Sequence, residues 1–130
     1  MSEYKAPSMD EWLREAKQHE NASRVGMYLT HNGVVRETAR DLVRNGNQSA
    51  AAVTGMRFSY SKEKVAEILE AAYLISGIYY IRVWLNEGCL QVGDDLMYVL
   101  VGGDTRHHTI NALQYLVGRI KSEAVQEEEL

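Results

Sequence analysis

Val101-Gly102-Gly103-Asp104-Thr105-Arg106 is the stretch of this 130-residue sequence whose residue order points most directly to binding chemistry. An apolar run passes through two glycines into a helical pattern, so unpaired backbone N–H groups and a partial positive charge gather at the helix start. An arginine in that first turn adds a fork of donors suited to phosphate or carboxylate. The same residues also read as an ordinary strand-to-helix turn, with Asp104 as N-cap and Arg106 in solvent. Lys121 lies fifteen residues beyond Arg106 on the same helical pattern, roughly 22 Å along the axis at 1.5 Å per residue. The two cannot line one small site within a single chain, and a site that uses both must combine two protomers. By itself Lys121 reads as a cation complementing the helix C-terminal dipole.

Arg36, Arg40 and Arg44 recur every four residues, which places them on one face if the segment turns helical around a ligand and otherwise makes a solvated stripe. His107 and His108 are adjacent, so on a helix they point about 100° apart and do not grip one metal together. His19 and His31 have no ligand spacing, and no metal site or resident cofactor is expected. Cys89, the single cysteine, has neither a disulfide partner nor an activating base nearby and reads as a small packing residue in a reducing compartment. No Ser/His/Asp arrangement, GxGxxG or GxxxxGK[ST] occurs, so nothing supports a nucleotide fold.

The elements that must position these residues follow from periodicity. Ser8 and Glu11 have capping-box spacing, and Trp12, Leu13 and Ala16 continue a helix over 9–20. Alternation of Val25, Met27 and Leu29 predicts a strand over 24–30, closed by a turn at His31-Asn32-Gly33. Residues 34–50 lack a clean period and read as a long mobile loop. A strand over 51–60 carries Met56, Phe58 and Tyr60 on one face. Ser61 caps a helix with Val65, Ile68, Leu69, Ala72 and Ile75 inward and Gly77 as its C′ residue. Strands follow over 78–85 and 95–101, joined through Glu87-Gly88 and Val92-Gly93-Asp94. Ile110, Leu113, Val117 and Ile120 mark a last helix over 105–122. The order α-β-loop-β-α-β-β-α describes an α/β (α+β) fold, a mixed sheet with packed helices.

The length fits one domain, assigned to 1–123 with 34–50 as its loop, followed by an acidic tail over 124–130; a hydrophobic content of 45% suffices for one core. A net charge of −4 argues against broad nucleic-acid binding, which needs a basic face. Arginines nevertheless dominate from Arg24 to Arg57, leaving room for a local anion site. No apolar run reaches eighteen residues and the N-terminus lacks the pattern of a secretory signal, so a cytoplasmic location away from membranes is expected.

Three motifs, in order, carry a family resemblance. Gly33-Val34-Val35-Arg36 resembles the G-x-V-R, Gly88-Cys89-Leu90-Gln91-Val92-Gly93-Asp94-Asp95 the G-x-L-x-x-G-[DE]-x turn, and Gly103-Asp104-Thr105-Arg106 with its helix to Lys121 the S-x-H-R…LK segment of the molybdopterin synthase large subunit, the MoaE family. The resemblance spans about 10–122. It implies the α/β hammerhead fold and a homodimer of large subunits that binds a ubiquitin-like, MoaD-like small subunit. That partner delivers a C-terminal Gly-Gly thiocarboxylate, whose sulfur passes to cyclic pyranopterin monophosphate in molybdenum cofactor biosynthesis. Arg36, Arg106 and the adjoining Thr105 would then hold the substrate phosphate or the incoming carboxylate, and Lys121 would assist proton transfer and stabilise charge, in a site built across the dimer.

The sequence departs from that pattern at Thr105, where the family has histidine, at Leu85-Asn86, where it has His-Arg, and after Ala124. There a P-x-W-K motif supplying a second site lysine gives way to Val125-Gln126-Glu127-Glu128-Glu129. Carboxylates in place of a lysine change the sign of the local potential. The sequence therefore also fits a catalytically impaired MoaE-like paralogue that acts as a dimeric binding or regulatory protein, with Lys62, Lys64 and Arg119 as possible substitutes for the lost cation.

Overall fold

A computed structural model describes residues 6–39, 44–46 and 52–130. The first helix, α1 (Met9–Ala16), starts where Ser8 accepts a hydrogen bond from the Glu11 N–H and stops one turn short of the expected end. Residues 22–24 make a 3₁₀ turn, and β1 runs over Met27–Val34. The turn expected at His31-Asn32-Gly33 does not form: these residues pair with Val99, Tyr98 and Met97 of β5 (Asp95–Gly103). Asn-Gly is a turn signal only where the chain reverses. Here antiparallel pairing with a central strand outweighs it, and the Asn32 side-chain amide bonds Asp95 Oδ1 and the Met97 carbonyl across the ladder.

Among the described residues, six strands divide between two antiparallel sheets. One has the order β1-β5-β3, with β3 over Ile78–Leu85; the other has the order β4-β2-β6, with β2 over Gly55–Tyr60, β4 over Gly88–Gln91 and β6 over Val125–Glu129. The expected α/β architecture is present. Two short strands escaped the sequence reading, β4 within the glycine-punctuated link and β6 within the acidic end. Each is an edge strand whose pairing with β2, not its composition, makes it a strand.

Helix α2 (Lys62–Tyr73) is capped by Ser61, which accepts from the Lys64 N–H; its C-cap is Leu74, so Gly77 is not the C′ residue. Gly77 instead takes a left-handed φ of 84° at the entry to β3. Helix α3 spans Arg106–Arg119 and passes into a π-helical turn, Ile120–Ala124. Its N-cap is Thr105 rather than Asp104, the threonine oxygen accepting from the His108 N–H.

The central strand β5 is buried on both faces. Met97, Val99 and Val101 join Ile68, Ala112, Leu116 and Ile120 from the helices and Met56, Phe58 and Leu90 from the second sheet in the main core. Leu100 faces the other way, onto Trp12 and Ala16 of α1, ringed by Tyr28, Tyr80, Trp84 and Tyr98. Arg82 clamps this layer by lying 4.6 Å over the Trp12 ring while pairing with Glu15, a cation–π contact with an ionic anchor. Among the described residues no helix is long and apolar enough to cross a membrane.

Candidate functional site

The C-terminal end of α3, the exit of β1 and the acidic strand β6 meet at one cleft, lined by Val34, Arg36, Arg44, Met56, Leu96, Lys121, Glu127 and Glu129. It adjoins a cavity of about 400 Å³ that shares Arg44, Lys121 and Glu127 and adds Gly118, Ser122 and Val125. The π-helical turn carries Lys121 here. Ile120 and Ala124 are buried at its two ends, so the wider turn keeps both apolar residues in the core while offering Lys121 to the surface. Arg119 is held elsewhere, with Nε and Nη2 on the two oxygens of Glu123 at 2.6 and 2.9 Å. That bidentate carboxylate raises the guanidinium's pKa, and Arg119 in turn lowers that of Glu123. Lys64 pairs with Glu67 at 3.3 Å. Neither cation lines the cleft beside Lys121.

Arg36 reaches the cleft because Val35 is pinned. Val35 is 1% exposed, its N–H donates to the Asp94 carbonyl at 3.0 Å, and its carbonyl accepts from the Gly93 N–H at 2.8 Å. Gly93 adopts φ 93°, a left-handed turn that favours glycine, and the Asp94 carboxylate accepts from the Gln91 N–H at 2.9 Å. The glycine turn after β4 thus clamps the chain one residue before Arg36, whose Nε then donates to the Thr38 carbonyl at 3.0 Å. Asn86, at the other departure from the family pattern, is 4% exposed; its amide donates to the Asp95 carbonyl and its oxygen accepts from the Glu87 N–H, both at 2.9 Å.

Arg44 belongs with these cations, whereas Arg40 lies outside the described residues. Glu127 and Glu129 are alternate residues of β6 and both line the cleft; Glu128 points the other way and pairs with Arg57 at 2.8 Å. Alternation along the strand therefore aims two carboxylates at a site where three cations gather.

His31 stands on β1, three residues before Val34 of the cleft lining. Its Nε2 is enclosed without a hydrogen-bond partner, an arrangement costing about 1–3 kcal/mol when a polar atom is left buried and unpaired. Burial and, secondarily, the positive charge of Lys121 lower its pKa. Sequence reading missed His31 because it assigned the residue to a turn. It put the glutamates of 127–129 in place of the family's second lysine, but the acidic end shows no strand period from which to read that Glu127 and Glu129 are the two that face the cleft.

Arg106 and Thr105 stand at the opposite end of α3. Arg106 is exposed, the Thr105 hydroxyl caps the helix, and Asp104 Oδ1 lies 2.7 Å from His108 Nδ1. The structure thus brings Arg36 and Lys121 together in one chain, joined by Arg44, and leaves Arg106 and Thr105 a helix length away. Among the described residues, no three His, Cys, Asp or Glu side chains converge in a way that suits a metal ion.

The family model described as MoaE protein matches residues 4–123. The chain belongs to the MoaE family. Its fold is shared with solved structures of low sequence identity. One is a molybdopterin biosynthesis MoaE protein from Burkholderia ambifaria MC40-6, 14% identical with a TM-score of 0.73, covering 96% of this chain and 78% of that one. Another is molybdopterin synthase from Staphylococcus aureus, 20% identical at TM-score 0.71 over 95% and 85%. A third is the complex of subunits 1 and 2 of molybdopterin-converting factor from Helicobacter pylori 26695, 15% identical at TM-score 0.66 over 96% and 80%. No curated protein matches the sequence. At these identities the structural likeness establishes the fold, and the family rests on the match across most of the chain.

Proposed function

We propose that this MoaE-family chain is the large subunit of a cytoplasmic molybdopterin synthase, a sulfurtransferase of molybdenum cofactor biosynthesis. In this reading it takes sulfur from a thiocarboxylated small subunit and delivers it to cyclic pyranopterin monophosphate. The observation that carries the reading is the convergence of Lys121 with Arg36 and Arg44 on one cleft, in a fold shared with a molybdopterin synthase. The arginines suit a phosphate or carboxylate, and the lysine provides a cation and a transferable proton where charge develops on the acyl carbon's oxygen or the leaving group. A small-subunit partner is supported by the two-subunit complex among its structural neighbours. Arg106 and Thr105 lie too far from Lys121 to share its site within one chain, so in this proposal they reach it from the second copy of a homodimer.

The test is reconstitution. The chain, mixed with thiocarboxylated small subunit and the cyclic pyranopterin, should form the dithiolene, and Lys121→Ala should slow it by about 10²–10⁴-fold, the usual range for a positioned proton-transfer group. Absence of dithiolene with a verified partner overturns the proposal. Glu127 and Glu129 in the cleft favour a second reading, an impaired paralogue that binds and regulates. Calorimetry separates the two: the paralogue binds small subunit or pterin phosphate and turns nothing over, and failure to bind either refutes it.

A further inference from the structure

Two stripes of α3 lie side by side, and the rest of the chain covers one. Thr109, Ala112, Leu116 and Ile120 face the core and are fully buried. The apolar period that marks this helix in the sequence, Ile110, Leu113 and Val117, is turned aside from them. Ile110 is 37% exposed, and Leu113 and Val117 only border the core. β1, against which α3 also packs, continues this surface. It is an outer strand of its sheet among the described residues. Tyr28 faces Leu100 on the far side, so alternation puts Met27 and Leu29 on the helix side, where both are half-buried. An apolar helix stripe beside an unpaired strand edge is a surface on which another chain can pack.

The order of residues along the stripe identifies that chain. Arg106 stands four residues before Ile110, and Lys121 four residues after Val117, so cation, apolar, apolar, cation follow one another on one side of the helix. We propose that this stripe is the interface with a second copy of the chain, α3 packing antiparallel on α3, and that the interface delivers Arg106 of that copy to the Lys121 cleft. A two-fold axis between Leu113 and Gln114 sets Ile110 opposite Val117 of the second copy, and the same axis sets Arg106 opposite Lys121. Such a patch matches itself, as a two-fold interface requires. The inference rests on the reading of the Lys121 cleft as the reacting site. Along one helix Arg106 and Lys121 are roughly 22 Å apart; across a helix pair with axes about 8–10 Å apart, both long side chains reach one site. Gly118, which lines the cavity with Lys121, has nothing within 4 Å of its missing Cβ, so that wall is open to a side chain from outside. Charge matches as well. Arg106 of the second copy would join Arg36, Arg44 and Lys121, and Glu127 and Glu129 of β6 line the same cleft and offset the repulsion among like charges.

Sedimentation equilibrium of the full chain should give a dimer, and Ile110→Glu should give a monomer with the far-UV circular dichroism of wild type. A wild-type monomer overturns the proposal, as does a dimer that survives Ile110→Glu. The register is read separately, in a Cys89→Ser background. Ile110→Cys with Val117→Cys should form a disulfide between copies on mild oxidation, and either change alone should not, because like residues lie about 10 Å apart along the pair. Single variants that link as fast as the double variant overturn the register. In the reconstituted reaction, Arg106→Ala and Lys121→Ala should each be slow alone. Co-expressed in equal amounts, they should recover about a quarter of the wild-type rate, since half of such dimers are mixed and each mixed dimer has one intact site. No recovery overturns the delivery of Arg106 across the interface. If wild type makes no dithiolene, the functional reading fails and the sedimentation and disulfide results still decide the interface. An active monomer sinks the interface and leaves the functional reading standing.

Discussion

The two ends of α3 differ in what their polar groups already touch. At the N-terminal end the polar groups answer one another: the Thr105 oxygen takes the His108 N–H, Asp104 meets the His108 ring, and the Asp104 N–H donates to the Gly77 carbonyl. At the C-terminal end, charges from the segment after β1, the π-helical turn and β6 face a common cleft. An N-terminus is an anion site only while its N–H groups await a partner, and the threonine cap satisfies one of them internally. The helix start, which is the more suggestive sequence motif, is thus the more closed end. The binding geometry within one chain is found at the other.

If the N-terminal end is structural, its substitutions should act on stability. Gly77 has a left-handed φ, and a Cβ there would collide with Asp104 Oδ1 and His108 Nδ1. Gly77→Ala should therefore cost about 1–3 kcal/mol, measured by urea denaturation, and should disrupt the Asp104–His108 contact. A loss below about 0.5 kcal/mol, the noise of an ordinary surface change, would mean that this junction is looser than described. Thr105→Ala removes the cap and should cost about 1 kcal/mol, a fall in Tm of roughly 4 °C for a domain of this size. Thr105→Ser should keep most of it. If Thr105→Ala instead leaves Tm unchanged and abolishes sulfur transfer, Thr105 is a substrate contact and the comparison of the two ends reverses.

The cleft is broken in the other direction, by making it more basic. Glu127→Gln with Glu129→Gln removes two carboxylates from among the cations Arg36, Arg44 and Lys121. Binding of a phosphate-bearing pterin should tighten by about fivefold, on the scale of partly exposed ion pairs, and the gain should shrink as salt rises. Unchanged affinity at low salt would show that the anion lies elsewhere, with Arg106 as the first place to look.

How far the sequence reveals this arrangement depends on whether a residue's role is local. The caps at Ser8 and Ser61, the amphipathic helices and the apolar run of β5 are local or periodic, and each is legible. Their ends are less so, since α1 stops at Ala16 and β1 runs on through an Asn-Gly pair because of what lies beside them. The clamp of the Gly93–Asp94 turn on Val35 joins residues far apart in sequence. β6 is mostly glutamate, which disfavours strands, and exists because β2 offers an edge; the register Met56↔Glu129 and Phe58↔Glu127 then decides which glutamates reach the cleft. Arg36 and Lys121 are visible from the family resemblance. Arg44 is visible from its four-residue spacing and the glutamates of 127–129 from the lysine they replace, but that Arg44, Glu127 and Glu129 share one cleft emerges only through tertiary contact.

The smallest effect expected at the quiet end of α3 depends on pH. His108, hydrogen-bonded to Asp104, is the main cause of its lowered carboxyl pKa, with the Thr105 N–H adding to it. A carboxyl whose pKa is lower folded than unfolded stabilises the fold above its unfolded pKa, near 3.9, and loses that contribution as pH falls through the folded value. Asp104→Asn should therefore be less stable than wild type at pH 6, and the difference should fade below about pH 4 as the wild-type carboxyl takes up its proton. Because the pair is exposed to solvent, the gap should be small, and high salt should narrow it. Parallel denaturation series on the two proteins across pH 3–7 read this directly. A gap that stays constant down to pH 3 would assign the loss to altered packing against Gly77 in place of charge. The N-terminal end would then be closed by shape alone, and Asp104 would have no electrostatic part in holding it shut.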